Sequence, residues 1–292
     1  LVNAIDMMSE HDLHERFARA DRYLRDAGVF YRAYGSGGSS ERAWPFSHIP
    51  VMISDAEWQV LADGLVQRAN LLEAVVADIY SENRLVQEGF LPPQLIASNP
   101  EFLRPLVGIK PAGGHYLHFC SFEIGRGPDG NWWVLADRTQ APSGAGFALE
   151  NRVATARAFS DIYAETHVHR LASFFGAFRK ALQARTRGSD ERIAVLSPGP
   201  ANETYFEHAY IARYLGIMLL EGEDLTVVNG KVMVRTVAGL KPVSVLWRRL
   251  DAAFADPLEL DQNSYIGTPG MVDALRNGAV TFVNALGSGI LE

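Results

Sequence analysis

Cys120-Ser121-Phe122-Glu123-Ile124-Gly125-Arg126-Gly127-Pro128-Asp129-Gly130-Asn131-Trp132-Trp133-Val134-Leu135-Ala136-Asp137-Arg138 decides the fold of this chain. Two apolar runs flank a turn segment whose Asp129-Gly130 pair signals a two-residue hairpin. Pairing across such a turn sets Glu123 opposite Ala136 and Ser121 opposite Arg138. Alternation then puts Ser121, Glu123, Val134, Ala136 and Arg138 on one face, free to line a cleft. Cys120, Phe122, Ile124, Trp133 and Leu135 fall on the other, packed face. Asp137 lies on that packed side, so it is bonded to a neighbouring loop or re-aimed by a bulge. A Glu123 to Arg138 ion pair is the plain alternative to a cleft role.

Beyond the hairpin, Ala141-Pro142-Ser143-Gly144-Ala145-Gly146 opens a helix carrying Leu149, Val153 and Ala156. Backbone N–H groups at a helix start, with glycines that admit a ligand, suit an anion, and Arg138, Arg152 and Arg157 are near in sequence. A connector is the simpler reading of that loop. A further helix covers about 167–184, and the polar stretch 185–190 is the best candidate domain boundary. Ile193 to Leu196 then reads as a buried strand, followed by a helix over Tyr205 to Leu215, Gly216 as its stop, and a strand from Ile217 to Leu220. Asn229-Gly230 predicts a second hairpin. Strands Val243 to Trp247 and Ala279 to Val283 enclose a helix at Met271 to Arg276, completing a Rossmann-like pattern. Asn202, Glu203, Tyr205, Glu207 and His208 crowd the carboxyl edge of its first strand, where such sheets bind ligands, but no G-x-G-x-x-G is present. Arg248, Arg249 and Asp251 close another strand; alternation sends the two arginines to opposite faces, one able to clamp a carboxylate. Asn284 to Gly289 repeats the strand-to-glycine arrangement, or is a tight turn.

Towards the start, Leu13, Phe17, Ala20 and Leu24 recur at helical spacing over residues 10–27. Gly35 to Ser40 reads as a flexible connector. Ser54 and Glu57 form a capping-box pattern before Trp58, Leu61, Leu65 and Ala69, and a second helical stretch follows from Leu71 to Tyr80. The first hundred residues thus read as mostly helical.

The chain has 292 residues, 48% of them hydrophobic, and 27 Lys plus Arg against 34 Asp plus Glu, a net charge of -7. That balance argues against broad nucleic-acid or anionic-membrane binding. Cys120 is the only cysteine, and reads as a small buried hydrophobe without an activating partner. His115 with His118, and His167 with His169, lack the third ligand a metal site needs. No apolar run reaches membrane-spanning length and no signal-peptide core is visible, so a cytoplasmic protein is expected. The first residue is Leu1 and the last follows a strand and a glycine turn, so both ends read as cut.

Residues Trp132 to Arg152 closely resemble the circularly permuted ATP-grasp family of type 2, relatives of glutathionylspermidine synthase. Leu196-Ser197-Pro198-Gly199-Pro200, Tyr205-Phe206-Glu207-His208, Glu221-Gly222-Glu223-Asp224-Leu225, Trp247-Arg248-Arg249-Leu250-Asp251 and Asn284-Ala285-Leu286-Gly287-Ser288-Gly289 look like further blocks of that family, in its order. Gln67-Arg68, Asp78-Ile79-Tyr80 and Gly89-Phe90-Leu91-Pro92 extend the likeness towards the start.

The resemblance implies a mixed α/β protein in three parts: a helical region, 1–114; a partial ATP-grasp lobe, 115–190; and a Rossmann-like pre-ATP-grasp domain, 191–292. It implies an ATP-dependent carboxylate–amine ligase, in which ATP phosphorylates a carboxylate and an amine displaces phosphate to leave an amide. Magnesium would be held by Glu123 and Asp137, because hard cations take oxygen ligands. Ala136 and Arg138 stand where the family has a Glu and an Asn, a departure that removes ligands and adds a repelling charge. Ser143, Gly144, Gly146 and Arg152 would cradle the nucleotide, with Arg138 and Arg152 stabilising phosphoryl charge. Asn202, Tyr205, His208, Arg248, Arg249 and Asp251 would meet a small-molecule or peptide carboxylate and the amine. The lysine-bearing lobe is expected after Glu292, so this chain would supply half of a nucleotide clamp and bind ATP weakly or not at all. A helical partner protein and transglutaminase-like neighbours are further associations of the family. The contrasting expectation is a non-catalytic nucleotide- or peptide-binding scaffold with a degenerate site.

Overall fold

The structure, a computed structural model, describes residues 5–35 and 38–292, without the side chains of 32–41. In chain order it contains α1 (Glu10–Asp26), β1 (Phe30–Gly35), β2 (Gly38–Ala43), α2 (Asp55–Ile79), β3 (Ser121–Arg126), β4 (Trp132–Arg138) and α3 (Ala145–Ala158). There follow α4 (Ser160–Glu165), α5 (Ala172–Gln183), β5 (Arg192–Leu196), α6 (Tyr205–Leu215), β6 (Met218–Leu220) and β7 (Leu225–Val228). The last elements are β8 (Lys231–Thr236), β9 (Gly239–Arg248), α7 (Met271–Arg276) and β10 (Thr281–Val283). The chain divides into two compact units, each assembled from three separated segments: 1–52, 143–179 and 200–215; and 53–142, 180–199 and 216–292.

In the first unit, Ser9 caps α1 by accepting from the Asp12 N–H, an interaction worth about 1 kcal/mol. Ala20 and Leu24 of α1 bury against Phe147, Ala154, Ala158 and Phe159. Trp44 stacks on Phe147 at 3.9 Å. Arg16 pins the end of α3, donating to the Ala158 carbonyl at 3.0 Å and to Asp161 at 2.7 Å. After α1 in the chain comes an antiparallel hairpin, with Phe30 opposite Ala43 and Gly35 opposite Gly38. The Gly35 to Ser40 stretch expected as a connector is therefore part of two paired strands, its residues 36–37 lying outside the described set.

The second unit carries the Rossmann-like sheet. Its parallel part runs β6-β5-β9-β10 and its antiparallel extension β9-β8-β7. The ten-residue β9 makes both possible: its first residues pair with β8 and its last with β5 and β10. The β7–β8 turn has Asn229 at φ 51° and Gly230 at φ 68°, the left-handed pair that an Asn-Gly hairpin requires. Ala194, Leu246, Leu275, Phe282 and Leu286 lie in the buried core. The two helical stretches expected over 54–80 form one 25-residue helix, α2, with the Ser54–Glu57 capping box at its start. Only Asn70 interrupts the apolar pattern there, and one such residue does not break a helix.

The β3–β4 hairpin departs from the expected turn. Gly127 N–H donates to Asn131 at 2.8 Å and Gly130 N–H to Gly127 at 2.9 Å, with Gly130 at φ 80°. This is a three-residue turn ending in a left-handed glycine, not a two-residue one. Near the turn, Arg126 therefore faces Trp132. A bulge between Glu123 and Ile124 then shifts the register back, so that Glu123 faces Ala136 and Ser121 faces Arg138 as the sequence predicts. The extra residue also moves Trp133 and Leu135 off the expected packed face. They are 60% and 69% exposed, on the solvent side with Glu123 and Arg138. Phe122, Ile124, Trp132, Val134 and Asp137 turn towards α2.

Candidate functional site

Glu123 and Arg138 meet on the solvent face of the hairpin. Both Nε and Nη2 of Arg138 donate to Glu123 Oε1, at 2.9 and 2.6 Å. The pair is half-exposed, and the carboxylate raises the arginine pKa above its ordinary value. Asp137 belongs to the opposite face, where Arg68 of α2 grips it with two parallel bonds of 2.6 and 2.7 Å. It is thus bonded to a neighbouring helix and not re-aimed by the bulge. Family resemblance asks Glu123 and Asp137 to hold magnesium. As arranged they do not fit a divalent ion: each is taken by a guanidinium, they face opposite ways, and Ala136 offers no oxygen. Among the described residues no group of three or more His, Cys, Asp or Glu could hold a metal ion.

What orients this hairpin is the segment after β10. Asn284 Oδ1 accepts from the N–H groups of His118 and Phe119 at 2.7 and 2.8 Å. Its Nδ2 donates to the Phe119 and Thr139 carbonyls at 2.7 and 2.6 Å. One side chain therefore ties the entry of β3 to the exit of β4. Ser288 and Thr139 exchange two further bonds of 2.9 Å, and Glu292 Oε1 accepts from the Thr139 and Gln140 N–H groups at 2.6 and 2.7 Å. Gly287, at φ 88°, passes so close to Tyr80 that a Cβ would lie 2.5 Å from its ring, so no other residue fits there.

Arg248 and Arg249 end β9 beside the end of β5, the switch point where an open α/β sheet binds ligands. Here the chain seats its own backbone in that place. Arg248 is completely buried, donating to Gln140 O at 2.7 Å and Leu250 O at 2.6 Å. Arg249, also buried, donates to Pro142 O. The expected split to opposite faces does not produce one free clamp, because both side chains bind carbonyls of the loop that leaves the hairpin. Burial lowers the Arg248 pKa to about 10 against the opposing pull of Asp251, Glu101 and Glu292. Its Nε has no hydrogen-bond partner. Burial likewise raises Glu101, with Asp251 adding to the effect. Asp251 itself is exposed.

Ser143, Gly144, Gly146 and Arg152 belong to the first unit. Gly144 and Gly146 N–H groups converge at the start of α3, as an anion site would need, but both donate to Glu207 Oε1, at 2.8 and 3.0 Å. The donors expected to hold phosphate hold the chain's own carboxylate instead. A Cβ at Gly146 would lie 2.9 Å from Glu207 Cγ, so the glycine exists to admit that side chain. Arg152 makes two long contacts, both 3.4 Å, with Tyr163 Oη and the His169 carbonyl. Asn202 Oδ1 folds back onto Thr204, accepting from its N–H at 2.9 Å. His208, only 1% exposed, lies 3.2 Å from the Thr204 hydroxyl with Tyr205 against its ring. The two therefore brace the start of α6, and His208 presents nothing to a cleft.

Sequence reasoning singled out the β3–β4 hairpin and the loop before α3, but not Arg68, Asn284 or Glu207 as the groups that hold them. Arg68 and Asn284 sit in stretches flagged as blocks, yet nothing local shows that they reach residues 69 and 145 positions away. Cys120 is partly buried, and burial raises its thiol to about 11, leaving it unreactive.

Comparison with known proteins points one way. The family description "circularly permuted ATP-grasp type 2" matches residues 50–292. An uncharacterized protein of Mycobacterium tuberculosis is 44% identical over 251 residues, covering 85% of this chain and 28% of its own length. Another, from Synechocystis, is 34% identical over 294 residues, covering 100% of this chain and 61% of its own. Among solved structures, a glutathione synthetase-like effector from Globodera pallida, in its apo form, is similar with a TM-score of 0.57 and 17% identity. That alignment covers 92% of this chain and 64% of the effector, and at such identity it shows the fold alone. The chain spans less than two thirds of the length of each of these relatives.

Proposed function

Because this chain belongs to the circularly permuted ATP-grasp type 2 family, we propose that the protein is an ATP-dependent carboxylate–amine ligase. The observation that supports this reading best is the Glu123–Arg138 pair on the solvent face of the hairpin. A half-exposed guanidinium on a carboxylate can exchange one oxyanion for another at little cost, since such pairs are worth at most about 1 kcal/mol. In the reaction, a substrate carboxylate oxygen attacks the terminal phosphorus of ATP and ADP leaves. An amine then attacks the acyl carbon, phosphate departs with the bonding pair, and the amine proton goes to a base or solvent. Arg138, leaving Glu123, would meet the charge spread over the transferred phosphoryl group, with Arg152 as a second cation. Ser143, Gly144 and Gly146 serve a phosphate only once Glu207 withdraws.

Arg248 and Arg249 act in this reading as positioning residues, fixing the carbonyls of Gln140 and Pro142. Asn202 and Tyr205 in the first unit and Asp251 in the second are proposed substrate contacts, and His208 acts as a positioning residue beneath Thr204. The three-part division at 114 and 190 is likewise a proposal, as is a cytoplasmic location. No helix among the described residues is long and apolar enough to cross a membrane. A helical partner protein rests on resemblance alone.

A second reading, a nucleotide- or peptide-binding scaffold, is favoured by one specific observation: both candidate metal carboxylates are already ion-paired. The full-length protein separates the two. Incubated with ATP, magnesium, a pool of short peptides and a pool of amines, a ligase releases ADP in proportion to new amide. Arg138→Ala and Arg152→Ala then lower that release by about 100-fold. No ADP above background from the wild-type protein, or unchanged release by both variants, removes the ligase reading.

A further inference from the structure

Between α1 and the last turn of α3, within the first unit, lies a cavity of about 700 Å³ that the proposed ligase reading does not use. One wall is a single stripe of α1, Arg19, Arg22, Tyr23 and Asp26, whose spacing puts all four on one helix face. The other wall is Arg157 and Ser160. A seam between two helices ordinarily closes on apolar side chains, and beside the cavity it does, with Ala20, Leu24, Ala154 and Ala158 all buried. At the cavity itself the chain places three guanidiniums against one carboxylate.

The two walls touch each other and are held in place. Arg157 lies over the Tyr23 ring at 4.2 Å, and the Tyr23 hydroxyl donates to buried Glu150 at 2.7 Å. Burial and that carboxylate push the phenol up to about 12, so it stays a neutral donor. Among the described residues, Arg19, Arg22 and Arg157 have no ion pair of the kind that occupies Arg16, Arg68 and Arg138. Uncompensated cations facing one another across a cleft are a standing repulsion, and an anion between them relieves it.

We propose that this cavity binds an oligophosphate, a run of two or more linked phosphate groups. Guanidinium forks match phosphate oxygens two at a time, and three of them outweigh Asp26. Asp26 lines the cavity beside the three arginines and the chain carries a net charge of -7, a balance that disfavours a nucleic-acid backbone. Residues 19–26 lie outside the 50–292 match, whereas Arg157 and Ser160 lie inside it, so only one wall of this site falls outside the segment that defines the family.

Calorimetric titration of the chain with sodium tripolyphosphate tests this. Saturable one-to-one binding is expected, weakening as salt is raised because the cations are exposed. The double variant Arg19→Ala/Arg22→Ala, which alters two exposed side chains, should lose at least about tenfold in affinity, and Arg22→Glu more. Arg276→Ala, which removes an exposed cation of the other unit that the ligase reading does not use, should bind as the wild type does, so a loss in the double variant is not one of net charge alone. Absence of saturable binding overturns the proposal. So does equal affinity in the Arg19→Ala/Arg22→Ala variant, affinity for orthophosphate as high as for tripolyphosphate, or preference for duplex DNA.

Discussion

Asp137 and Arg138 are adjacent in sequence and electrostatically unlike. The aspartate is nearly buried beneath Arg68, in a planar two-bond pair, whereas Arg138 holds Glu123 in the open. Removing a paired, largely covered acid strands its cation, so Asp137→Ala should destabilise the protein by about 1 kcal/mol, read from urea denaturation. Glu123→Ala, on the solvent side, should leave the midpoint nearly unchanged. His118 gives a pH signature. Burial, with the charge of Arg185 and His115 adding to it, lowers the imidazole to about 4, and its Nε2 has no partner. The unfolded chain titrates near the ordinary value of about 6.5, so between those values the unfolded state binds more protons. The stability that neutral His118 contributes is complete above that range and is lost as pH falls through it. Thermal midpoints of wild type should drop across this window, and those of His118→Leu should drop less.

At the scale of the element, the β3–β4 hairpin shows how a local misreading and a correct register coexist. The turn is one residue longer than Asp129-Gly130 suggests, and the bulge beside Glu123 takes that residue back. Faces near the turn are exchanged, while the Glu123–Arg138 end keeps its pairing. Asn284 fixes the hairpin's root through four hydrogen bonds. Asn284→Ala strands backbone donors and acceptors that water reaches poorly, so a loss of about 2–4 kcal/mol is expected in chemical denaturation. The start of α3 offers a parallel case in the first unit. Glu207→Ala frees the Gly144 and Gly146 N–H groups and should cost about 1–3 kcal/mol. Millimolar phosphate should restore part of that stability in the variant and none in the wild type, if the loop accepts an anion once vacated.

Across the whole molecule, the order of elements was legible and their grouping was not. Alternation, capping boxes and Asn-Gly or Gly punctuation place α2, the β7–β8 hairpin, α6 and α7 close to where they stand, because those signals act over a few residues. The missed β1–β2 hairpin carries Gly and Ser where a strand usually carries branched residues, so nothing local announces it. The sequence by itself determined the mixed α/β class, the family, and the opposition of Glu123 to Ala136. Only tertiary structure decided which carboxylates and amides are free. Arg68 captures Asp137, Glu207 fills the loop at α3, and Arg248 and Arg249 spend themselves on backbone carbonyls. Periodicity fixes the direction of a side chain from its neighbours, but hydrogen bonds between residues far apart in the chain form only once folding brings them within 3 Å.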